Sequence, residues 1–187
     1  LGHRCLSIID LHSHANQPME TRDGRYSITY NGEIYNYAEI RSRLSTNFTF
    51  RTNSDTEVLL HALAHDGISA LNQLNGIYAF GLWDRTTRRL TLVRDPIGVK
   101  PLYWWSDGST LIFASELKGI LASELVQREI EPEALHHLLS IQAVPPPFTM
   151  IKDVHILQPG SYLIWENGQI EIRQFFFRQA LSLQRCK

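Results

Sequence analysis

The runs IYAFGLWD (77–84) and RRLTLVRD (88–95) flank the short segment Arg85-Thr86-Thr87. The pair predicts two strands joined by a tight turn, and the pattern repeats further along the chain. LYWW (102–105) and TLIFAS (110–115) flank Ser106-Asp107-Gly108-Ser109, while YLIWE (162–166) and QIEIRQF (169–175) flank Asn167-Gly168. Asp-Gly and Asn-Gly supply the positive φ angles that hairpin turns require, so these are antiparallel pairs. On the N-terminal side, Tyr26, Ile28 and Tyr30 alternate with polar residues as a half-buried strand does, after a polar stretch ending in the turn Asp23-Gly24. Leu6, Ile8 and Ile9 form a shorter apolar run that predicts a buried strand.

Helices lie between these strands. Ser54-Asp55-Thr56-Glu57 has the form of a capping box leading into VLLHALAHDG, with Gly67 as the stop. Tyr37, Ile40 and Leu44 share one helical face, and Asn36 with Glu39 predicts a capping pair at that helix's start. A shorter helical stretch spans Ile68 to Leu74, and Pro132 opens a helix through EALHHLLS before the stiff loop VPPPF. Antiparallel hairpins interleaved with amphipathic helices predict an α+β fold, its sheets covered by helices.

With 187 residues, the chain is long enough to bury a substantial core. An apolar content of 43% and a charged content of 20% are ordinary for a globular protein. A net charge of −1 gives no electrostatic basis for binding nucleic acid or an anionic membrane surface. No apolar run is long enough to span a bilayer, and no signal-peptide pattern opens the chain. Cys5 and Cys186 are too few for a disulfide framework, which points to a reducing, cytoplasmic setting.

Four segments could carry chemistry. NGEIYN (31–36) places Asn31 and Gly32 together, a side-chain amide beside an unobstructed backbone N–H. Two such donors aimed at one point form an oxyanion hole, where losing one costs on the order of 10²–10³ in turnover. Spacing alone favours the plainer reading, a strand-to-helix turn in which Gly32 provides the backbone angle and Asn36 the cap. Asp55 can be a carboxylate stabilised by a helix N-terminus, or one held there to receive a ligand's ammonium group. RDPIGVKPLY (94–103) has the look of a loop with an Arg-Asp ion pair. His61 and His65, at i and i+4, could form a metal face, but with no third ligand a solvated helix face is the simpler expectation.

The order of LGHRCLSIID, NGEIYN, SDTE, LNGIYAFGLWD, RDPIGVKPLY and FASELK resembles the N-terminal glutaminase domain of glutamine-hydrolysing asparagine synthetases, a class II glutamine amidotransferase. The resemblance runs from Leu1 to about Phe176. It implies an N-terminal-nucleophile fold, a four-layer αββα sandwich of two antiparallel sheets, over residues 1–176. Residues 177–187 would then be a linker or diverged tail towards a synthetase domain.

The activity implied is hydrolysis of L-glutamine to glutamate, supplying ammonia for ATP-dependent amidation of aspartate. The nucleophile would be an N-terminal cysteine whose own α-amine acts as base, through a thioester. Asn31 and Gly32 match the oxyanion hole. Glu33 and Asp55 match positions that hold glutamine, Asp55 near its ammonium group, and Leu6, Ser7, Ile8 and Ile9 match a pocket-wall strand. The resemblance implies no cofactor for this domain, with ATP and magnesium confined to a synthetase domain in cis, and it is compatible with a homodimer.

The chain departs from the pattern at two places. It starts at Leu1, so the nucleophile is expected upstream, the domain to be truncated at its N-terminus and marginally stable, and the fragment to be inactive by itself. Cys5 cannot replace that nucleophile, because its nitrogen lies in a peptide bond. Cys5 instead stands where the family carries an arginine for the α-carboxylate of glutamine, and the neighbouring Arg4 should point to the opposite face of the strand. Two other readings follow: a catalytically silent glutaminase-like binding or structural module, or the ammonia-supplying domain of another amidotransferase.

Overall fold

Residues 17–176 are described by the structure, a computed structural model. Their strands are β1 (Met19–Glu20), β2 (Tyr26–Ile34), β3 (Gly76–Asp84), β4 (Arg89–Arg94), β5 (Tyr103–Ser106), β6 (Leu111–Ala114), β7 (His155–Ile156), β8 (Ser161–Glu166) and β9 (Gln169–Gln174). The helices are α1 (Tyr37–Leu44), α2 (Asp55–Asp66), α3 (Leu117–Leu121) and α4 (Pro132–Ile141), with a 3-10 helix over Gly67–Gln73. The predicted strand at Leu6–Ile9 and the tail at 177–187 lie outside the described residues.

Turn chemistry sets the pairing. Asn167 and Gly168 both have positive φ, closing β8 on β9, and Gly108 does the same between β5 and β6. The Arg85-Thr86-Thr87 turn is held by Asp84, whose carboxylate accepts the N–H groups of Thr86 and Thr87. The described strands form two antiparallel sheets, β1-β2-β3-β4-β8-β9 and β6-β5-β7.

Alternation along the strands sends side chains to two apolar interfaces on the larger sheet. On one face Ile28, Tyr30, Ile34, Tyr78, Phe80 and Val93 pack against Ile40 and Leu44 of α1 and Val58, Leu59 and Leu63 of α2. On the other face Ala79, Leu90, Leu92 and Leu163 meet Trp104, Leu111 and Phe113 of the smaller sheet. Gly81 lets the sheets approach there, since a Cβ on it would lie 2.6 Å from Phe113 Cζ. The far face of the smaller sheet carries Tyr103, Trp105 and Ile112 against Ile120 of α3. Helices, sheet, sheet and helix thus stack as a four-layer αββα sandwich.

Three local expectations are corrected. NGEIYN is not a strand-to-helix turn over its whole length: β2 continues through Asn31, Gly32, Glu33 and Ile34 in unbroken register with β3. Asn36 makes no side-chain cap on α1; its amide bridges to the Gln73 carbonyl and the Asn75 N–H, tying the entry of α1 to the exit of the 3-10 helix. The capping box is half formed. Ser54 Oγ accepts from Thr56 N–H, but Glu57 turns away and accepts from Arg51 N–H, Thr52 N–H and Thr52 Oγ1.

His61 is a fourth correction. Instead of facing solvent it is buried between the rings of Phe48 and Phe50, its Nε2 3.8 Å from Glu57, whereas His65 is exposed. Burial pushes the His61 imidazole below its ordinary value, against the pull of Glu57. Burial raises Glu57, but the donors of Arg51 and Thr52 outweigh it and hold the carboxyl below its usual range. Both groups therefore take up protons more readily in the unfolded chain, so stability falls with falling pH. The melting temperature should drop between about pH 7 and pH 5, the range in which a histidine of ordinary pKa charges on unfolding. His61→Gln should flatten that slope, leaving the part due to His155, also lowered by burial. A slope unchanged by His61→Gln would contradict this assignment.

Candidate active site

β2 brings the candidate residues together. Its side chains alternate between the helix layer, which receives Tyr30 and Ile34, and the inter-sheet side, to which Asn31 belongs. Asn31 stands opposite Ala79 on β3, and Ala79 opposite Arg94 on β4, so the three form one row across the sheet. Gly32 follows at φ +156°, directly opposite Tyr78. Asn31 and Gly32 are partly exposed and Glu33 is exposed, so this end of the strand is open to a ligand.

Asp55 enters from the helix layer. It is the first residue of α2, after the N-cap Ser54, and is only 5% exposed. Its Oδ2 accepts the Tyr30 hydroxyl at 2.6 Å and the Ile34 N–H at 3.1 Å. Burial, followed by the charge of Asp55, pushes the Tyr30 phenol well above its usual range, so Tyr30 stays a proton donor to this carboxylate. The strand with Asn31 and Gly32 thus also grips Asp55. Helix capping and a ligand-facing role are compatible here, because the helix start is what places the carboxylate beside the strand.

Sequence reasoning missed Gln17. Its Oε1 accepts the Tyr30 N–H at 2.6 Å and its Nε2 reaches Thr56 Oγ1 at 3.4 Å, joining β2, just beyond its pairing with β1, to the start of α2. Nothing in the pattern around Gln17 signals this, since both partners are distant in sequence.

Arg94 and Asp95 depart from the expected ion pair. Arg94 donates to three carbonyls, those of Lys100, Leu157 and Gly98, each within 2.8 Å. The Asp95 side chain, fully buried, accepts four backbone N–H groups: Ile97, Gly98 and Val99 on Oδ1 and Lys100 on Oδ2. Backbone groups, rather than a direct ion pair, thus satisfy the two side chains. They knot the loop leaving β4, at the sheet end where Asn31 and Gly32 lie, about 10 Å away across two strand spacings.

Cys5, Leu6, Ser7, Ile8 and Ile9 lie outside the described residues. Among the described residues no group of three or more His, Cys, Asp or Glu side chains could hold a metal ion, and no helix is long and apolar enough to cross a membrane.

One strand, β2, thus carries Asn31 and Gly32 and, through Tyr30 and Ile34, holds the buried carboxylate of Asp55. Residues 1–176 match the family described as "Glutamine amidotransferase domain", and the chain belongs to it. It is 41% identical over 177 residues to asparagine synthetase (glutamine-hydrolyzing) 1 of Bacillus subtilis, covering 94% of this chain and 28% of that protein. It is 33% identical over 193 residues to a putative asparagine synthetase (glutamine-hydrolyzing) 2 of Methanocaldococcus jannaschii, covering 95% and 37%. An amidase, chry2, of Gibberella zeae is 37% identical over 172 residues, covering 91% and 25%. The chain thus spans about a third or less of the length of these relatives.

Among solved structures, glutamine phosphoribosylpyrophosphate amidotransferase of B. subtilis matches with a TM-score of 0.60 at 22% identity, covering 87% of this chain and 32% of that one. The structure titled as the allosteric regulatory enzyme of purine biosynthesis reaches 0.65 at 21% identity, covering 88% and 32%. These two likenesses support the fold.

Proposed function

We propose that this domain is the glutaminase part of an asparagine synthetase, hydrolysing L-glutamine to glutamate and delivering ammonia to the amidation of aspartate. The observation that carries the reading is the placement of Asn31, Gly32 and the Asp55 grip on one strand, in a chain of this family whose relatives include proteins named as glutamine-hydrolyzing asparagine synthetases. In this reading the Asn31 amide and the Gly32 N–H stabilise the oxyanion formed at the glutamine side-chain amide. Asp55 receives the substrate ammonium, Glu33 assists in holding it, and Leu6, Ser7, Ile8 and Ile9 wall the pocket beside Cys5.

The chemistry needs a cysteine with a free α-amine, which the peptide nitrogen of Cys5 cannot supply. This domain needs no cofactor; ATP and magnesium would act in a synthetase domain in cis, which with L-glutamine is the partner this reading names.

Cys5 favours a second reading, a silent glutaminase-like module, because it replaces the arginine expected for the substrate carboxylate. Losing such a charge-assisted contact lowers affinity by about 10- to 100-fold. Titrating L-glutamine against the full-length protein and its Cys5→Arg variant distinguishes the two. The glutaminase reading expects measurable binding that tightens by that factor in Cys5→Arg. Equal affinities would refute the role given to Cys5, and no binding by either protein would favour the silent module.

A further inference from the structure

We infer that Tyr30 is a positioning residue that sets how the site reads the α-ammonium of its substrate, by fixing one oxygen of Asp55 to the strand that carries Asn31 and Gly32. The inference rests on the glutamine reading proposed above and adds a residue to it. A carboxylate on the first residue of a helix is free to rotate unless something holds it. Here Oδ2 is held twice, by the Tyr30 hydroxyl at 2.6 Å and by the Ile34 N–H at 3.1 Å. The first distance is that of a short, charge-assisted O–H···O⁻ bond. Oδ1 takes neither bond, so it is the oxygen left to meet a cation.

Both donors belong to β2, and both flank Asn31 and Gly32 in sequence. The gap between the amide-binding end of the site and the ammonium-binding end is therefore set inside one strand. Tyr30 is in turn immobilised: its side chain is buried in the helix-facing core, and its own N–H is taken by Gln17. Such a built-in spacing suits one chain length between amide and ammonium, and loosening it by about an ångström can cost on the order of a hundredfold in a positioned reaction.

Removing the hydroxyl has two opposed consequences. Asp55 loses its orientation, which weakens recognition, but its charge is also less neutralised, which strengthens attraction for a cation. Orientation wins in this geometry because the Ile34 N–H remains on the same oxygen and limits the gain in free charge.

The test compares L-glutamine with glutaramate, the analogue that keeps the amide and carboxylate but has no α-amine. Kd, or KM where the protein turns these compounds over, is measured for the full-length protein, Tyr30→Phe and Asp55→Asn. Tyr30→Phe should weaken L-glutamine about tenfold, the lower end for a charge-assisted bond, and leave glutaramate within about twofold. Glutaramate binding also certifies that each variant is folded. Equal losses on both compounds, no loss, or tighter binding of L-glutamine by Tyr30→Phe would overturn the inference. If Asp55→Asn selectively weakens L-glutamine and Tyr30→Phe does not, the role of Tyr30 alone fails. If Asp55→Asn shows no selectivity, the ammonium reading of Asp55 fails and this inference falls with it.

Discussion

Asp95→Ala should lower the stability of the protein by about 5 kcal/mol, among the largest effects a single substitution produces. The carboxylate is fully buried and accepts the N–H groups of Ile97, Gly98, Val99 and Lys100. Alanine leaves the Ile97, Val99 and Lys100 N–H groups without that acceptor, while Gly98 keeps only the Asp95 carbonyl. Each unsatisfied buried donor costs about 1–3 kcal/mol, less where water can enter. Opening of the loop relieves part of that cost but loses two of the three carbonyls that pair with Arg94, because Gly98 and Lys100 belong to the same loop. The Arg94 guanidinium would then be a buried cation with too few acceptors.

Asn is the informative control. Asp95→Asn keeps an oxygen for the three N–H groups on Oδ1 but sets an amide N–H₂ against the Lys100 N–H. About half the loss is therefore expected. At about 2–4 °C per kcal/mol for a chain of this size, thermal unfolding should show a drop of 10–20 °C for Ala and roughly half that for Asn. Equal drops for the two variants would show that the charge, rather than the acceptor geometry, is what the fold uses.

Gly32→Ala should cost about 4 kcal/mol and remove glutamine binding together with it. The φ of +156° is one that L side chains rarely adopt. A Cβ at this position would collide with the Ile77 carbonyl oxygen and lie 2.7 Å from Tyr78 Cα. Those are backbone atoms of the paired strand, and Tyr78 is fully buried, so neither can yield. The remaining relief is for β2 to move off β3, carrying Asn31, Gly32 and the Tyr30 and Ile34 donors with it. Unfolding should therefore shift by about 10 °C, and L-glutamine affinity should fall more than that of Asp55→Asn. A variant that melts within about 2 °C of the parent would show that the strand pair is softer than its packing indicates.

Much of the architecture is legible in the chain because it rests on local chemistry. Asp107-Gly108 and Asn167-Gly168 demand positive φ wherever they occur, so their hairpins follow from the turn residues alone. Ser54 caps α2 two residues away, and Gly67 ends it at positive φ. Ile40 and Leu44 are buried on one face of α1, as their spacing predicts. NGEI was less legible. Its polar residues and glycine suit a turn, and only the register with β3, from Ile34 opposite Gly76 to Tyr26 opposite Asp84, makes it strand.

Composition and turn residues by themselves therefore determined the class of fold, the existence of the hairpins and the segments in which a site would lie. What Asn36, Glu57, His61, Arg94 and Asp95 do there was decided by tertiary structure. Each of these polar groups had a plausible partner nearby in sequence, yet most took partners brought close by folding: Asn36 at residues 73 and 75, Arg94 at residue 157, His61 at Phe48 and Phe50. Buried polar groups must be satisfied by whatever donors and acceptors surround them. Those surroundings exist only once the sheets and helices have packed, which is why the grip of Tyr30 on Asp55, across 25 residues, is visible only in the folded chain.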